Sequence, residues 1–248
     1  MLDLDGVVWV GGTAIPGAAE AVAQLRRVGA DLVFVTNMSA LTVAQQEAKL
    51  AACGIDAAGS VVTSATAAGR LVAPGEQVLV VGGPGIVEAV ESAGAEVCSS
   101  GPADAVIVGI DPEFDYDTLG RAMRAVRGGA RLIGTNHDPS YPTERGLAPG
   151  GGSLLAAVAT AAEAEPVMAG KPNRPIVDCV RDRVGRRGIV VGDRPDSDGR
   201  FALALGYEFA LVMSGVTGAS DLPVSPAPQH CASDLAVLVR QMGLESTG

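Results

Sequence analysis

The chain has 248 residues, 48% of them hydrophobic and 19% charged, which suits one large or two modest globular domains and does not suit a disordered chain. Its 18 Lys and Arg against 28 Asp and Glu give a formal net charge of −10, with no basic run stronger than 181–187, and this argues against a nucleic-acid partner. Four scattered cysteines form no C-x-x-C pair, and no apolar run nears the ~20 residues of a bilayer span, so zinc, a disulfide framework and a membrane partner are all disfavoured and the cytoplasm is the expected compartment.

Aromatic residues make up only 3% of the chain, so the core has to be built from small and branched aliphatics, as in layered α/β proteins. Asp3-Leu4-Asp5-Gly6 leads into an expected strand over 7–10, and 17–28 reads as a helix closed by Gly29. A buried-type strand over 31–36 delivers Thr36-Asn37-Met38-Ser39, followed by a helix over 43–53 closed by Gly54 and a strand over 61–63. Beyond Ala73-Pro74-Gly75-Glu76 come strands over 77–81, 105–110 and 131–135, with a helix over 116–127 closed by Gly128-Gly129. Gly82-Gly83-Pro84-Gly85 breaks the dinucleotide pattern G-x-G-x-x-G and reads as a turn between strand and helix. An Ala-rich stretch over 161–170 precedes Gly170-Lys171-Pro172-Asn173, a helix over 176–184, and strands over 188–192 and 208–213, the first of which ends at Asp193. Repeated βα units imply a mostly parallel sheet. The expected fold class is α/β, a Rossmann-like doubly wound parallel sheet formed by 1–73 and 168–248, with an inserted α/β cap over 77–167.

Each chemical signal has an ordinary rival. Asp3 and Asp5 fall at the carboxyl edge of a parallel sheet, where open α/β proteins bind ligands, but Asp and Gly also form common turns. The calcium pattern D-x-D-x-[DN]-G is excluded, because Val7 follows Gly6. Thr36 and Asn37 suit a phosphate at a helix start and suit plain N-capping equally well. A lone lysine such as Lys171 is usually solvated, although the flanking prolines fix where its side chain leaves the backbone. Asp193 occupies the same strand-end position as Asp3, while Asp196 and Asp198 include at least one helix cap. The loop around 135–140 is a recognition candidate or a simple connection. His137 and His230 receive no catalytic role, having no partner at useful spacing.

In order along the chain, Asp3-Leu4-Asp5-Gly6-Val7-Val8-Trp9, Thr36-Asn37, Gly170-Lys171-Pro172 and Gly192-Asp193-Arg194 with Asp198 resemble the four motifs of the haloacid dehalogenase superfamily. The chain is similar in particular to its NagD-like, p-nitrophenyl phosphatase-type group, which includes phosphoglycolate and glycerol-phosphate phosphatases. Residues 108–111, Thr135-Asn136-His137-Asp138 and Gly152-Ser153 resemble that group's type IIA cap. The resemblance implies a phosphatase for small phosphate monoesters, with Asp3 as nucleophile through an aspartyl-phosphate, Asp5 as acid and base, and Lys171 completing the catalytic set. It implies Mg2+ held by Asp3, Asp5 and Asp193, with Asp198 orienting a neighbour. Thr36, Asn37, Met38, Lys171, Asn136 and Asp138 are the implied substrate contacts, and a small phosphorylated metabolite is the implied partner, with homo-oligomer formation through the cap as a further expectation. Three departures stand out: Met38 replaces a second asparagine, Gly199 follows Asp198 where an apolar residue is common, and only two residues precede Asp3. A phosphotransferase or phosphoprotein phosphatase using the same site, and a noncatalytic phosphate- or nucleotide-binding module, are the alternatives.

Overall fold

A single residue, Leu2, joins the two halves of the sheet that carries the N-terminus. In the computed structural model, which describes residues 1–143 and 146–244, Leu2 makes parallel bridges to Phe34 and to Val191. Its N–H donates to Val33 O at 3.0 Å, its carbonyl accepts from Val35 N–H at 2.9 Å, and Val191 N–H donates to Met1 O at 2.9 Å. The Met1 ammonium donates to Ile189 O at 2.7 Å, and burial pushes its pKa down to about 6. Beyond Leu2, Phe34–Thr36 pairs with the strand Val61–Thr63. On the other side Ile189–Gly192 runs parallel to Glu208–Val212, and that strand runs parallel to His230–Ala232. Both Asp3 and Asp193 therefore leave the carboxyl ends of adjacent parallel strands.

The strand expected over 7–10 is shorter and differently placed. Residues 7 and 8 lie in a turn, and Trp9–Val10 pairs antiparallel with Thr13–Ala14. Gly11 and Gly12, at φ 55° and 91°, make the two-residue loop; two successive positive φ values match the right-handed twist of a hairpin and are open to glycine.

Two compact units are present. The first comprises Met1–Thr36, Ala44–Val62 and Val177–Gly248, and the second Asn37–Val43 and Thr63–Ile176. Positions 245–248 of the expected core and 144–145 of the expected cap lie outside the described residues. The second unit holds a five-stranded parallel sheet in the order Val167–Met168, Arg131–Gly134, Ala105–Val108, Gln77–Val81, Glu96–Cys98. One layer of its core brings Val81, Val106, Val108 and Leu132 together with Ala122 and Val126 of helix Tyr116–Arg127 and with Leu155 and Val158 of helix Gly151–Ala162. These are the small and branched side chains that an aromatic-poor composition demands. Pro84 opens the helix Pro84–Ser92 directly after strand Gln77–Val81 and Gly82-Gly83, the turn anticipated from sequence. Among the described residues no helix is long and apolar enough to cross a membrane.

Candidate active site

In the first unit, Asp3, Asp193 and Asp198 each offer a carboxylate oxygen, and these atoms all lie within 4.8 Å of one another. Asp193 is 2% exposed and Asp198 fully buried. Three carboxylates this close repel one another in a low-dielectric setting, and a divalent cation offsets that repulsion. An all-oxygen set suits a hard ion such as Mg2+ and lacks the thiolates or imidazoles of a zinc site. The residues present therefore fit the ion that the sequence resemblance implies.

Backbone without side chains makes room for the cluster. A Cβ on Gly6 would sit 2.5 Å from Asp193 Cγ, and one on Gly215 would sit 2.6 Å from the same atom. A Cβ on Gly192 would overlap the Asp198 carboxylate. The Asp193 carboxylate is further fixed by Val216 N–H, which donates to its Oδ2 at 2.6 Å, and Ser214 Oγ ties down Gly6 O at 2.6 Å.

Asp198 enters this group through the wide turn Pro195–Gly199, in which both Asp198 N–H (2.7 Å) and Gly199 N–H (3.4 Å) donate to Arg194 O. The second of these spans five residues, a π-type step that is common at functional sites. Asp198 Oδ2 also accepts from Arg194 N–H at 3.1 Å. The side chain read from sequence as orienting a neighbour thus also stands among the candidate ligands. The unexpected Gly199 has a packing reason, since a Cβ there would meet Pro226 Cγ at 2.7 Å.

The Asp5 carboxylate is not in the three-carboxylate group; its Oδ1 accepts from the indole N–H of Trp9 at 3.0 Å. Thr36 is buried at the end of its strand.

Asn37, Asn136, Asp138 and Lys171 meet in the second unit. Lys171, for which a solvated side chain was the ordinary expectation, is 5% exposed. Asn37 grips its main chain from both sides: Asn37 Oδ1 accepts from Lys171 N–H at 2.8 Å, and Asn37 Nδ2 donates to Lys171 O at 3.4 Å. The same amide donates to Asp138 Oδ2 at 3.3 Å. Asn37 O in turn accepts from Asn136 Nδ2 and from Ser64 Oγ, both at 2.8 Å. Gly170 permits this approach, because a Cβ there would lie 2.6 Å from Asn37 Oδ1.

Asn136 is 2% exposed, with its Nδ2 on Asn37 O and its Oδ1 accepting from Asp138 N–H at 3.0 Å. Both ends of the amide are committed inside the protein, which makes Asn136 a brace for Asn37 and Asp138. Asn136→Ala takes the acceptor from the half-buried Asp138 N–H and leaves Asn37 O with Ser64 Oγ alone, so denaturant unfolding of the full chain is expected to show a loss of about 1 kcal/mol. An unchanged midpoint would remove the brace.

Residues 1–96 match the family profile of haloacid dehalogenase-like hydrolases, and residues 168–238 match a second profile described as HAD-hydrolase-like. A D-glycerol 3-phosphate phosphatase of Mycobacterium tuberculosis is 37% identical; the match takes in 89% of this chain and 64% of that protein, so the chain spans less than two thirds of this relative's length. An acid sugar phosphatase of Staphylococcus saprophyticus is 32% identical over 98% of this chain and 96% of its own length. The crystal structure of a glycerol phosphate phosphatase from Mycobacterium tuberculosis in complex with magnesium superposes with a TM-score of 0.89 at 35% identity, over 96% of this chain and 75% of that one.

Proposed function

The chain belongs to the haloacid dehalogenase-like hydrolases, and from that membership we propose that it is a Mg2+-dependent phosphatase hydrolysing small phosphate monoesters of the glycerol-phosphate or sugar-phosphate kind. The observation that carries this reading is the convergence of Asp3, Asp193 and Asp198, drawn from opposite ends of the sequence.

Asp3, Asp193 and Asp198 would hold the ion with the Asp5 carbonyl, and the ion supplies charge neutralisation where carboxylate and phosphate must approach each other. Asp3 is the nucleophile: one of its oxygens bonds to phosphorus as the ester oxygen leaves with the bonding pair. Asp5 gives that oxygen a proton and later takes one from the water that releases phosphate and regenerates Asp3. Lys171 balances phosphoryl charge, Thr36 offers its hydroxyl, and Asn37 and Met38 offer main-chain N–H groups, the Asn37 side chain being committed to Lys171 and Asp138. Asp138 takes a place on the substrate side.

The catalytic core is assigned to 1–73 and 168–248 and the cap to 77–167, with the cap excluding water and choosing the leaving group. The partner is a small phosphorylated metabolite in the cytoplasm, with self-association through the cap as a further reading.

A panel of phosphate esters assayed with and without Mg2+ tests the proposal; phosphate release that is absent, or indifferent to Mg2+ and chelator, contradicts it. Lys171→Met is expected to lower kcat/KM by about 10²–10³-fold, the usual effect of removing one preorganised charge-stabilising group. A loss under fivefold in steady-state kinetics would take Lys171 out of the site.

A further inference from the structure

Trp9 is 1% exposed, yet its ring is not packed solely by apolar neighbours. Its indole N–H donates to Asp5 Oδ1 at 3.0 Å, and the ammonium of Lys49 stands 4.0 Å from the ring centroid. Tryptophan offers one donor and no acceptor. The indole N–H therefore occupies Oδ1 as an acceptor and leaves Oδ2 as the carboxylate oxygen it does not engage. A cation over the ring face draws on its π density and strengthens the N–H as a donor.

We infer that Trp9 is a positioning residue for the acid–base step, holding Asp5 Oδ1 so that Oδ2 alone exchanges the proton, with Lys49 reinforcing it through the indole ring. The inference rests on the proposed phosphatase reading and adds to it. In the first half-reaction the ester P–O bond breaks with its electron pair on the leaving oxygen, the Oδ2–H proton moves to that oxygen, and Asp5 is left as a carboxylate. In the second half-reaction Oδ2 takes a proton from water as the water oxygen bonds to phosphorus and the Asp3–phosphorus bond breaks. Both transfers demand one oxygen in one direction, and a freely turning carboxylate spends part of its time presenting the wrong one.

The hairpin gives Trp9 a fixed station. Gly6 N–H donates to Trp9 O at 2.7 Å and Trp9 N–H to Leu4 O at 3.3 Å, so the donor and Asp5 share one rigid turn.

The test compares leaving groups. An alkoxide leaving group needs the proton and a nitrophenolate scarcely does, so a defect in proton delivery separates the two substrates, whereas general damage to the fold does not. Trp9→Phe, which keeps a ring beneath Lys49 and loses the N–H, is expected to lower kcat by about thirtyfold on glycerol 3-phosphate and about threefold on p-nitrophenyl phosphate, less than the ~10²–10⁴-fold that an acid–base group itself contributes, because Asp5 is still present. KM should stay within about twofold for both. Lys49→Met, which keeps the N–H, should shift the same ratio in the same direction by about threefold, and it serves as the readout if Trp9→Phe does not fold. Equal losses on both substrates in both variants overturn the role of Trp9. An unmodified chain inactive on both esters with Mg2+ overturns the phosphatase reading, so the two failures are distinguishable.

Discussion

Asp3→Asn is expected to reduce Mg2+-dependent phosphate release by more than about 10⁴-fold, on the scale seen when a catalytic nucleophile is removed. The amide is a poor nucleophile at phosphorus, and no neighbouring group replaces it: Asp193 and Asp198 are buried and committed to Val216 N–H and Arg194 N–H. The fold should not suffer. The substitution removes one of three mutually repelling charges, so the melting temperature without metal is expected to hold or rise. With Mg2+ the order reverses, because the unaltered chain binds the ion more tightly and gains more stability from it. Two measurements therefore check one site: phosphate release, and melting temperature across a Mg2+ titration. Activity within tenfold of the unaltered chain would show that another group attacks phosphorus, and an Mg2+-induced rise undiminished in Asp3→Asn would detach Asp3 from the ion.

The legible parts of this protein are those set by local rules. Strands Gln77–Val81 and Val61–Thr63 and helix Tyr116–Arg127 match the ranges read from sequence, because short β-branched runs and a helix closed by a terminal glycine announce themselves within a few residues. The helix bonds back to its cap, Thr118 N–H donating to Asp115 Oδ1 at 2.7 Å. The strand expected over 31–36 is regular only as Phe34–Thr36, since a strand extends as far as its partner, and the partner here is the three-residue strand Val61–Thr63. The hairpin at Trp9–Val10 was concealed by its length: two-residue strands carry no periodicity, although the Gly-Gly pair was visible. Asp198 illustrates a deeper limit. Sequence spacing from Asp193 is the same whether the turn closes over four residues or five, and only the five-residue step at Arg194 O, with a glycine at 192 beneath it, shows how the carboxylate is accommodated. Burial of Lys171 was invisible for a similar reason, since Asn37, the residue that grips its backbone, is far away in sequence. The carboxylates could be named from order along the chain, but how they are held could not.

Gly6→Ala should be nearly as damaging as loss of a ligand, though it removes no functional atom. Gly6 has φ 82°, a region in which an alanine is strained by about 1–2 kcal/mol. Its Cβ would also stand 2.5 Å from Asp193 Cγ, closer than real carbon atoms approach, so the carboxylate must turn or the Leu4–Trp9 loop must lift. Either movement spoils the coordination geometry, and shifting the support of a metal ligand typically costs about 10–100-fold in metal affinity. The Mg2+ concentration for half-maximal activity is therefore expected to rise by that factor, with kcat also lower at saturation. Gly206→Ala separates strain from collision: Gly206 has φ 74° with no atom within 4 Å of a built Cβ. That variant should lose about 1 kcal/mol of stability in denaturant unfolding and keep the Mg2+ response of the unaltered chain. If both alanines cost only stability and leave the Mg2+ titration in place, the contact between Gly6 and Asp193 is incidental; if Gly6→Ala alone shifts the titration, the absent side chain is itself part of the metal site.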